Sequence, residues 1–122
     1  EELLKINVSA ESSADILKAL EAPTIDELAA HIGSGSEAID QVKRLFDLAK
    51  DYGIDDYLIF DASVVRGLAY YTGVVWEAFD RRGELRAIMG GGRYDRLLEL
   101  YGGKNCTIPC VGFGFGDCVI ME

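Results

Sequence analysis

The sequence holds one histidine, one tryptophan, two prolines and three cysteines among 122 residues. Each scarcity excludes something. A structural metal centre draws its histidine and thiolate ligands from closely spaced pairs. Here His31 lies far from Cys106, Cys110 and Cys118, and no CxxC occurs, so no metal site is expected. An odd number of cysteines is no disulfide framework. They read as small buried hydrophobes in a reducing compartment. The chain opens on Glu1-Glu2 rather than on a basic and then an apolar region, so no signal peptide is expected. No apolar run approaches the ~20 residues that cross a bilayer. Internal repeats and low-complexity segments are absent too.

Positive charge is scarce in one half. Residues 1–60 carry thirteen acidic and five basic side chains, whereas residues 61–122 carry eight and seven. A protein that depends on a polyanion for affinity usually shows a basic face, and the front half has none. The back half gathers Arg66, Arg81, Arg82, Arg86, Arg93 and Arg96 near glycines and aromatics. Any phosphate chemistry belongs there. With 49% hydrophobic and 27% charged residues, the composition is that of a soluble globular domain.

Residues 1–53 read as helices. Leu3, Leu4 and Ile6 open an apolar segment of undecided type. Ser12 or Ser13 is expected to cap a helix carrying Ile16, Leu17 and Leu20, which ends before Pro23. Thr24 and Glu27 fit a capping box ahead of Ile25, Leu28 and Ile32, and Gly33 stops that helix. A third helix, with Ile39, Val42, Leu45, Phe46 and Ala49 as its stripe, ends at Gly53. His31, in the last turn of its helix, has a structural role at a place that mildly favours a cation.

The pattern changes after Asp55-Asp56. Strands are expected at 57–60 and 69–79, with a turn at 80–83 and an antiparallel return over 85–89. A helix over 93–101 and a strand over 108–115 follow, and Asp117 is placed to cap a last helix. Helices first, then an antiparallel sheet with packed helices, is an α+β arrangement. The expected division is a helical segment 1–55 and a sheet-bearing part 56–122.

Three constellations carry chemistry. In the first, Val65 to Gly73, Arg66 stands at the lip of an apolar strand and is followed by Gly67. A guanidinium is a permanent cation with a planar fork of donors, suited to a carboxylate or phosphate in a partly dry pocket. If the segment is a strand, Tyr70 and Tyr71 point to opposite faces, one to the core and one to a pocket. An exposed arginine beside two sheet tyrosines would read the same way. The second is Gly90-Gly91-Gly92-Arg93-Tyr94-Asp95. Glycines between a strand and a helix leave N–H groups bare at a helix N-terminus, which favours anions. It is neither a P-loop nor a dinucleotide fingerprint, and a tight turn would use the same glycines. In the third, Gly112 to Gly116, glycine alternates with phenylalanine. One strand face is then bare, as a floor for a flat ligand or as a surface for close packing.

Together and in this order these stretches resemble the histidyl-tRNA synthetases. Residues Val64 to Glu77 resemble that family's histidine-specific RGLDYYTGxVFE motif, Gly90 to Asp95 its GGGRYD stretch, and Val111 to Gly116 the strand of class II motif 3. The resemblance runs from about Phe60 to the end. The helical residues resemble, more loosely, the tail of the insertion domain that precedes the first motif.

The resemblance implies a class II antiparallel sheet and a reaction: histidine and ATP give histidyl-adenylate and pyrophosphate, then histidine passes to the histidine tRNA. It implies that Arg66 is catalytic and touches ATP, stabilising charge that grows during attack. Tyr70, Tyr71, Gly91, Gly92 and Tyr94 would hold histidine, and Gly112, Gly114 and Gly116 would hold ATP. A homodimeric, cytoplasmic parent is implied, with an organellar form left open. Mg2+ would accompany ATP there, though no ligand for it is identifiable in this sequence.

Two departures from the family pattern stand out. Ala69 replaces the usual Asp before the tyrosine pair, and Val119 stands where motif 3 places its nucleotide-bracing arginine. Motif 1, motif 2 and the anticodon-binding domain have no counterpart in these residues, so the chain reads as a fragment, expected to be inactive alone. The competing parents are a synthetase-like regulatory subunit of ATP phosphoribosyltransferase and the synthetase-like, tRNA-sensing domain of a stress kinase. An unrelated α+β domain that binds a small molecule is a third reading.

Overall fold

In the computed structural model, residues 2–33, 35–103 and 105–122 are described, with the side chains of Glu2 and Leu4 outside that description. The chain divides into two compact units, Glu1–Ser63 and Val64–Glu122.

The first unit is helical: α1 Glu2–Lys5, α2 Ala10–Leu20, α3 Ile25–Ile32 and α4 Glu37–Asp51. Local chemistry sets the boundaries. Ser9, not Ser12 or Ser13, caps α2: its Oγ accepts from the Ser12 N–H at 3.0 Å. The helix thus starts a turn earlier than expected, because the earliest hydroxyl able to take an orphan N–H becomes the cap. Thr24 caps α3 as expected, its Oγ1 accepting from the Glu27 N–H at 3.2 Å and donating to Glu27 Oε1 at 3.3 Å. Such a cap stabilises a helix by ~1 kcal/mol. Gly33 ends α3 at φ 96°, a conformation that costs a side-chain-bearing residue. Lys43 of α4 pairs with Asp26 of α3 at 2.6 Å on the exposed surface. The buried apolar residues here are Ala22, Ile39 and Ala49, two of them small, so the core is thin.

No strand forms at 57–60. Asp55–Tyr57 is a 3-10 turn and Leu58 is merely extended, at φ −107° and ψ 134°. An apolar extended run becomes a strand only with a neighbour to complete its ladder, and none pairs with it among the described residues.

The second unit holds β1 Val75–Ala78, β2 Met89–Arg93, α5 Leu97–Leu100, β3 Val111–Phe115 and α6 Asp117–Met121. The sheet order is β1-β2-β3, antiparallel throughout. All three strands differ from the sequence expectation. The first covers only the end of 69–79 and the third only the end of 108–115. The return strand lies past 85–89, so the glycine triplet is the middle of the central strand, not a loop. Asp80 organises the connection: its Oδ2 accepts from Arg82 N–H at 2.9 Å, and the Gly83 N–H reaches Asp80 O at 3.1 Å with Gly83 at φ 65°. The ladder opens with Ile88 N–H to Ala78 O at 2.8 Å. The helix expected over 93–101 shrinks to α5, because Arg93 stays in β2. Gly116, not Asp117, is the N-cap residue of α6, and it offers no side chain for the purpose. Helices beside an antiparallel sheet remain α+β.

The register sorts the sheet into two faces, since directly opposed residues share a side. Val75 lies opposite Gly92 and Glu77 opposite Gly90, while Gly92 and Gly90 lie opposite Gly112 and Gly114. This face is nearly bare of side chains of its own. The other carries Trp76, Ala78, Met89, Gly91, Phe113 and Phe115, with the Trp76 and Phe113 rings 5.8 Å apart. The three cysteines are not the buried hydrophobes expected: Cys106 and Cys110 are half-buried and Cys118 is exposed. No helix is long and apolar enough to cross a membrane among the described residues.

Candidate functional site

The glycine face is bare because other side chains lie on it. At Gly90, a Cβ would sit 2.6 Å from Nη1 and 2.7 Å from Cζ of Arg66. At Gly92, it would meet the Tyr71 ring at 2.6 Å. At Gly112, it would collide with the Tyr94 hydroxyl. Only at Gly114 is there open space, with nothing within 4 Å. Three glycines thus seat the side chains of Arg66, Tyr71 and Tyr94, and the fourth leaves a patch of bare backbone.

Arg66 reaches this face from the irregular segment before the sheet. Its Nη1 donates to Glu77 Oε1 at 2.5 Å, and the two side chains are 28% and 23% exposed. The hydrogen bond to Glu77 raises the guanidinium pKa further above its already high value, and Tyr71 adds to this. Arg66 is a fixed cation, with Nε buried and without a hydrogen-bond partner.

Tyr70 and Tyr71 are not strand residues. A turn brings the Tyr71 N–H to Leu68 O at 3.4 Å, so the strand alternation does not apply, and both rings line the same hollow. Their centroids are 5.0 Å apart, and Tyr70 meets Tyr94 edge-on at 5.4 Å and 82°. Burial, then the neighbouring Tyr71, pushes the Tyr70 phenol above its ordinary pKa of 10.0. Backbone bonds hold the segments together: Thr72 N–H to Arg93 O at 2.9 Å, Asp95 N–H to Thr72 Oγ1 at 3.0 Å, and Tyr94 N–H to Cys110 O at 2.8 Å.

The result is a hollow of about 370 Å³ lined by Arg66, Tyr70, Tyr71, Tyr94 and the backbone of Gly90, Gly112 and Gly114, with Leu68 and Phe113 at its margin. That lies at the lower end of the ~300–1,000 Å³ of small-molecule sites. Gly91 is on the opposite face, against Phe113, Gly92 lies beneath Tyr71, and Gly116 lies beyond β3 as the N-cap of α6. None of these three lines the hollow. Sequence reasoning missed Gly90, Leu68, Phe113 and the anchoring Glu77. The strand alternation of glycines could have found Gly90 once its register was known.

Two further arginines of this unit, Arg93 and Arg96, are engaged. Arg93 Nε binds both oxygens of Asp95 at 2.9 and 3.1 Å, and Arg96 pairs with Glu99 at 2.8 Å. Val119, expected from the resemblance to stand where motif 3 has an arginine, is 5% exposed and is a packing residue.

A fixed guanidinium, three phenols and a strip of open backbone suit a small polar molecule with an anionic group. The family profile described as histidyl-tRNA synthetase matches residues 2–116. The chain belongs to the histidyl-tRNA synthetase family. It is 54% identical over 115 residues to the chloroplastic/mitochondrial histidine–tRNA ligase of Arabidopsis thaliana, covering 94% of this chain and 23% of that protein. With the histidine–tRNA ligase of Thermoplasma volcanium the identity is 43% over 123 residues, covering 98% and 28%. A solved structure titled as an ATP phosphoribosyltransferase regulatory subunit/histidyl-tRNA synthetase from Bacillus halodurans superposes with a TM-score of 0.79 at 27% identity, covering 98% of this chain and 32% of that one. The chain therefore spans about a quarter of the length of these ligases.

Proposed function

We propose that these residues form the histidine-binding part of a histidine–tRNA ligase, which joins histidine to ATP and passes it to the histidine tRNA. The convergence of Arg66, Tyr71 and Tyr94 over one glycine face carries the reading. Histidine has a carboxylate for a guanidinium and an imidazole for phenol hydroxyls. A site that hydrogen-bonds its substrate's polar groups rejects analogues lacking them, because its own buried groups are then left unpaired.

In this reading Arg66 is the catalytic residue. It orients the carboxylate and stabilises negative charge as the carboxylate attacks the α-phosphate and pyrophosphate leaves. Tyr71 and Tyr94, with Tyr70 behind them, hold the imidazole. The strip at Gly114 takes the flat base of ATP. Magnesium would come with ATP. Among the described residues there is no group of three His, Cys, Asp or Glu side chains placed to hold a metal ion. A homodimeric parent in the cytoplasm or an organelle, carrying the remaining synthetase motifs, belongs to the same proposal.

A second reading, a non-catalytic regulatory relative, is favoured by Val119 in place of the arginine. Histidine-dependent ATP–pyrophosphate exchange separates the two. The full-length protein should exchange, and Arg66→Ala should lower the rate on the order of a hundredfold or more. The 122-residue chain alone should give none. Histidine binding without exchange in the full-length protein would establish the regulatory reading.

A further inference from the structure

The side chain on which this chemistry depends comes from an irregular segment, yet it lies in a defined place. An arginine has four side-chain torsions and a large rotamer entropy to lose. Something must hold it, and two features do so at one register position. Glu77 of β1 and Gly90 of β2 are directly opposed in the sheet and so share a face. Glu77 supplies an acceptor at 2.5 Å from Nη1. Gly90 supplies the absence of a side chain, since its Cβ would stand 2.6, 2.7 and 3.1 Å from Nη1, Cζ and Nη2. Neither feature suffices alone. An acidic residue opposite any larger residue would pull the guanidinium into a clash, and a glycine without the acid would leave it free to swing.

We propose that Glu77 and Gly90 together form a two-part seat that positions the Arg66 guanidinium over the sheet for the reacting anion. Both are positioning residues that act through Arg66. The seat uses Nη1 as a tether, so the guanidinium is aligned before substrate arrives rather than after. A site whose catalytic group is locked by its supporting residues loses little in reorganisation when the reaction occurs.

The role in catalysis rests on the ligase reading, but the seat itself does not, and the two are tested separately. On the 122-residue chain, nitrogen-15 NMR of the arginine side chains reads restricted rotation of the guanidinium. Arg66 should give resolved, slowly exchanging Nη signals. These should persist in Glu77→Gln and collapse in Glu77→Ala and in Gly90→Ala. Gly90→Ala is a fair probe, because the three atoms nearest its methyl group all belong to the movable end of Arg66. Unchanged Arg66 signals in both alanine variants would overturn the seat.

In the full-length ligase, Glu77→Ala should lower the rate of adenylate formation about tenfold or more with the KM for histidine changed less, as expected for a transition-state effect. Glu77→Gln should restore most of it. In an Arg66→Ala background, Glu77→Ala should cost nothing further, because its partner is gone. Multiplicative losses would make Glu77 a general structural residue and sink the positioning role. If the unaltered full-length protein forms no adenylate, the ligase reading fails, and the NMR result alone decides the seat.

Discussion

The Tyr71 ring lies directly over Gly92, with Cδ1 2.6 Å and Cε1 2.7 Å from where a Cβ at that glycine would stand. The same position would bring a methyl group to 2.9 Å from Val75 Cγ1. A side chain at 92 is therefore hemmed in from two directions, and the ring is the part that can move.

Gly92→Ala should accordingly displace Tyr71 while leaving the backbone ladder intact. If the full-length protein is the proposed ligase, the expected loss in kcat/KM for histidine is roughly tenfold to a hundredfold, since a displacement of about 1 Å at a reacting site costs that much. Steady-state exchange kinetics at varied histidine concentration would measure it. If kcat/KM is unchanged, Tyr71 has no part in holding histidine.

The contrast between Gly92 and Thr24 bears on how much of the molecule is legible in its sequence. The Thr24 cap needs only its neighbours three residues on, and it is readable by inspection. The place of the glycine triplet in a central strand depends on groups far along the chain. Glycine is a poor strand former, so nothing local points to β2. What favours glycine there is that Arg66 and Tyr71 need the space. The Arg66–Glu77 pair, eleven residues apart, is invisible for the same reason. Residues 69–74 fail in the opposite direction: Tyr70, Tyr71 and Val74 have the composition of a strand, but the turn at Leu68 to Tyr71 keeps them out of the sheet. The residue types of the site were readable, and so was the α+β class. The face each glycine shows was not, because it depends on register.

Val119 gives a prediction that sequence reasoning alone would reverse. On the resemblance alone, Val119→Arg is expected to offer ATP a cation. In the structure Val119 is 5% exposed, so the change removes a packed side chain and inserts a charge. The expected result is a loss on the order of 2 kcal/mol in stability, read as a lower urea midpoint for the chain. An unchanged midpoint would mean that α6 lifts away to let the arginine reach solvent.

Glu99 links the short helix α5 to the following loop. The Thr107 hydroxyl donates to it at 2.8 Å, and Arg96 Nε donates at 2.8 Å. Thr107 first, then Arg96, holds its carboxyl below the ordinary value of 4.5. A depressed folded-state pKa contributes stability above the ordinary value, and that contribution is lost as pH falls through the folded value. Thr107→Val should therefore be less stable than the natural chain at pH 7, with the gap narrowing below pH ~4.5. Urea unfolding at several pH values checks this. A gap independent of pH would assign the loss to packing rather than to the carboxylate.

Gly114 is the one glycine of this face over which the structure leaves room. A valine there meets no atom within 4 Å at its Cβ, and valine is a good strand former. Gly114→Val should fold at least as well as the natural chain. That makes it a clean probe, because any loss of function cannot be attributed to misfolding once the melting temperature is shown to be unchanged. If the bare strip at Gly114 is the floor for the base of ATP, the new side chain occupies the floor. If histidine is held by Arg66, Tyr71 and Tyr94 over Gly90, Gly92 and Gly112, as proposed, it should be left in place. Calorimetry on the full-length protein should then show ATP binding weakened at least tenfold and histidine binding within about twofold of the natural protein, the pattern of a steric block confined to one part of a site. Of the nearby arginines, Arg93 pairs with Asp95 and Arg96 with Glu99. Should ATP bind as tightly to Gly114→Val as to the natural protein, the open strip is not its floor. Should histidine binding fall instead, the strip belongs to the amino acid, and ATP must be held from another direction.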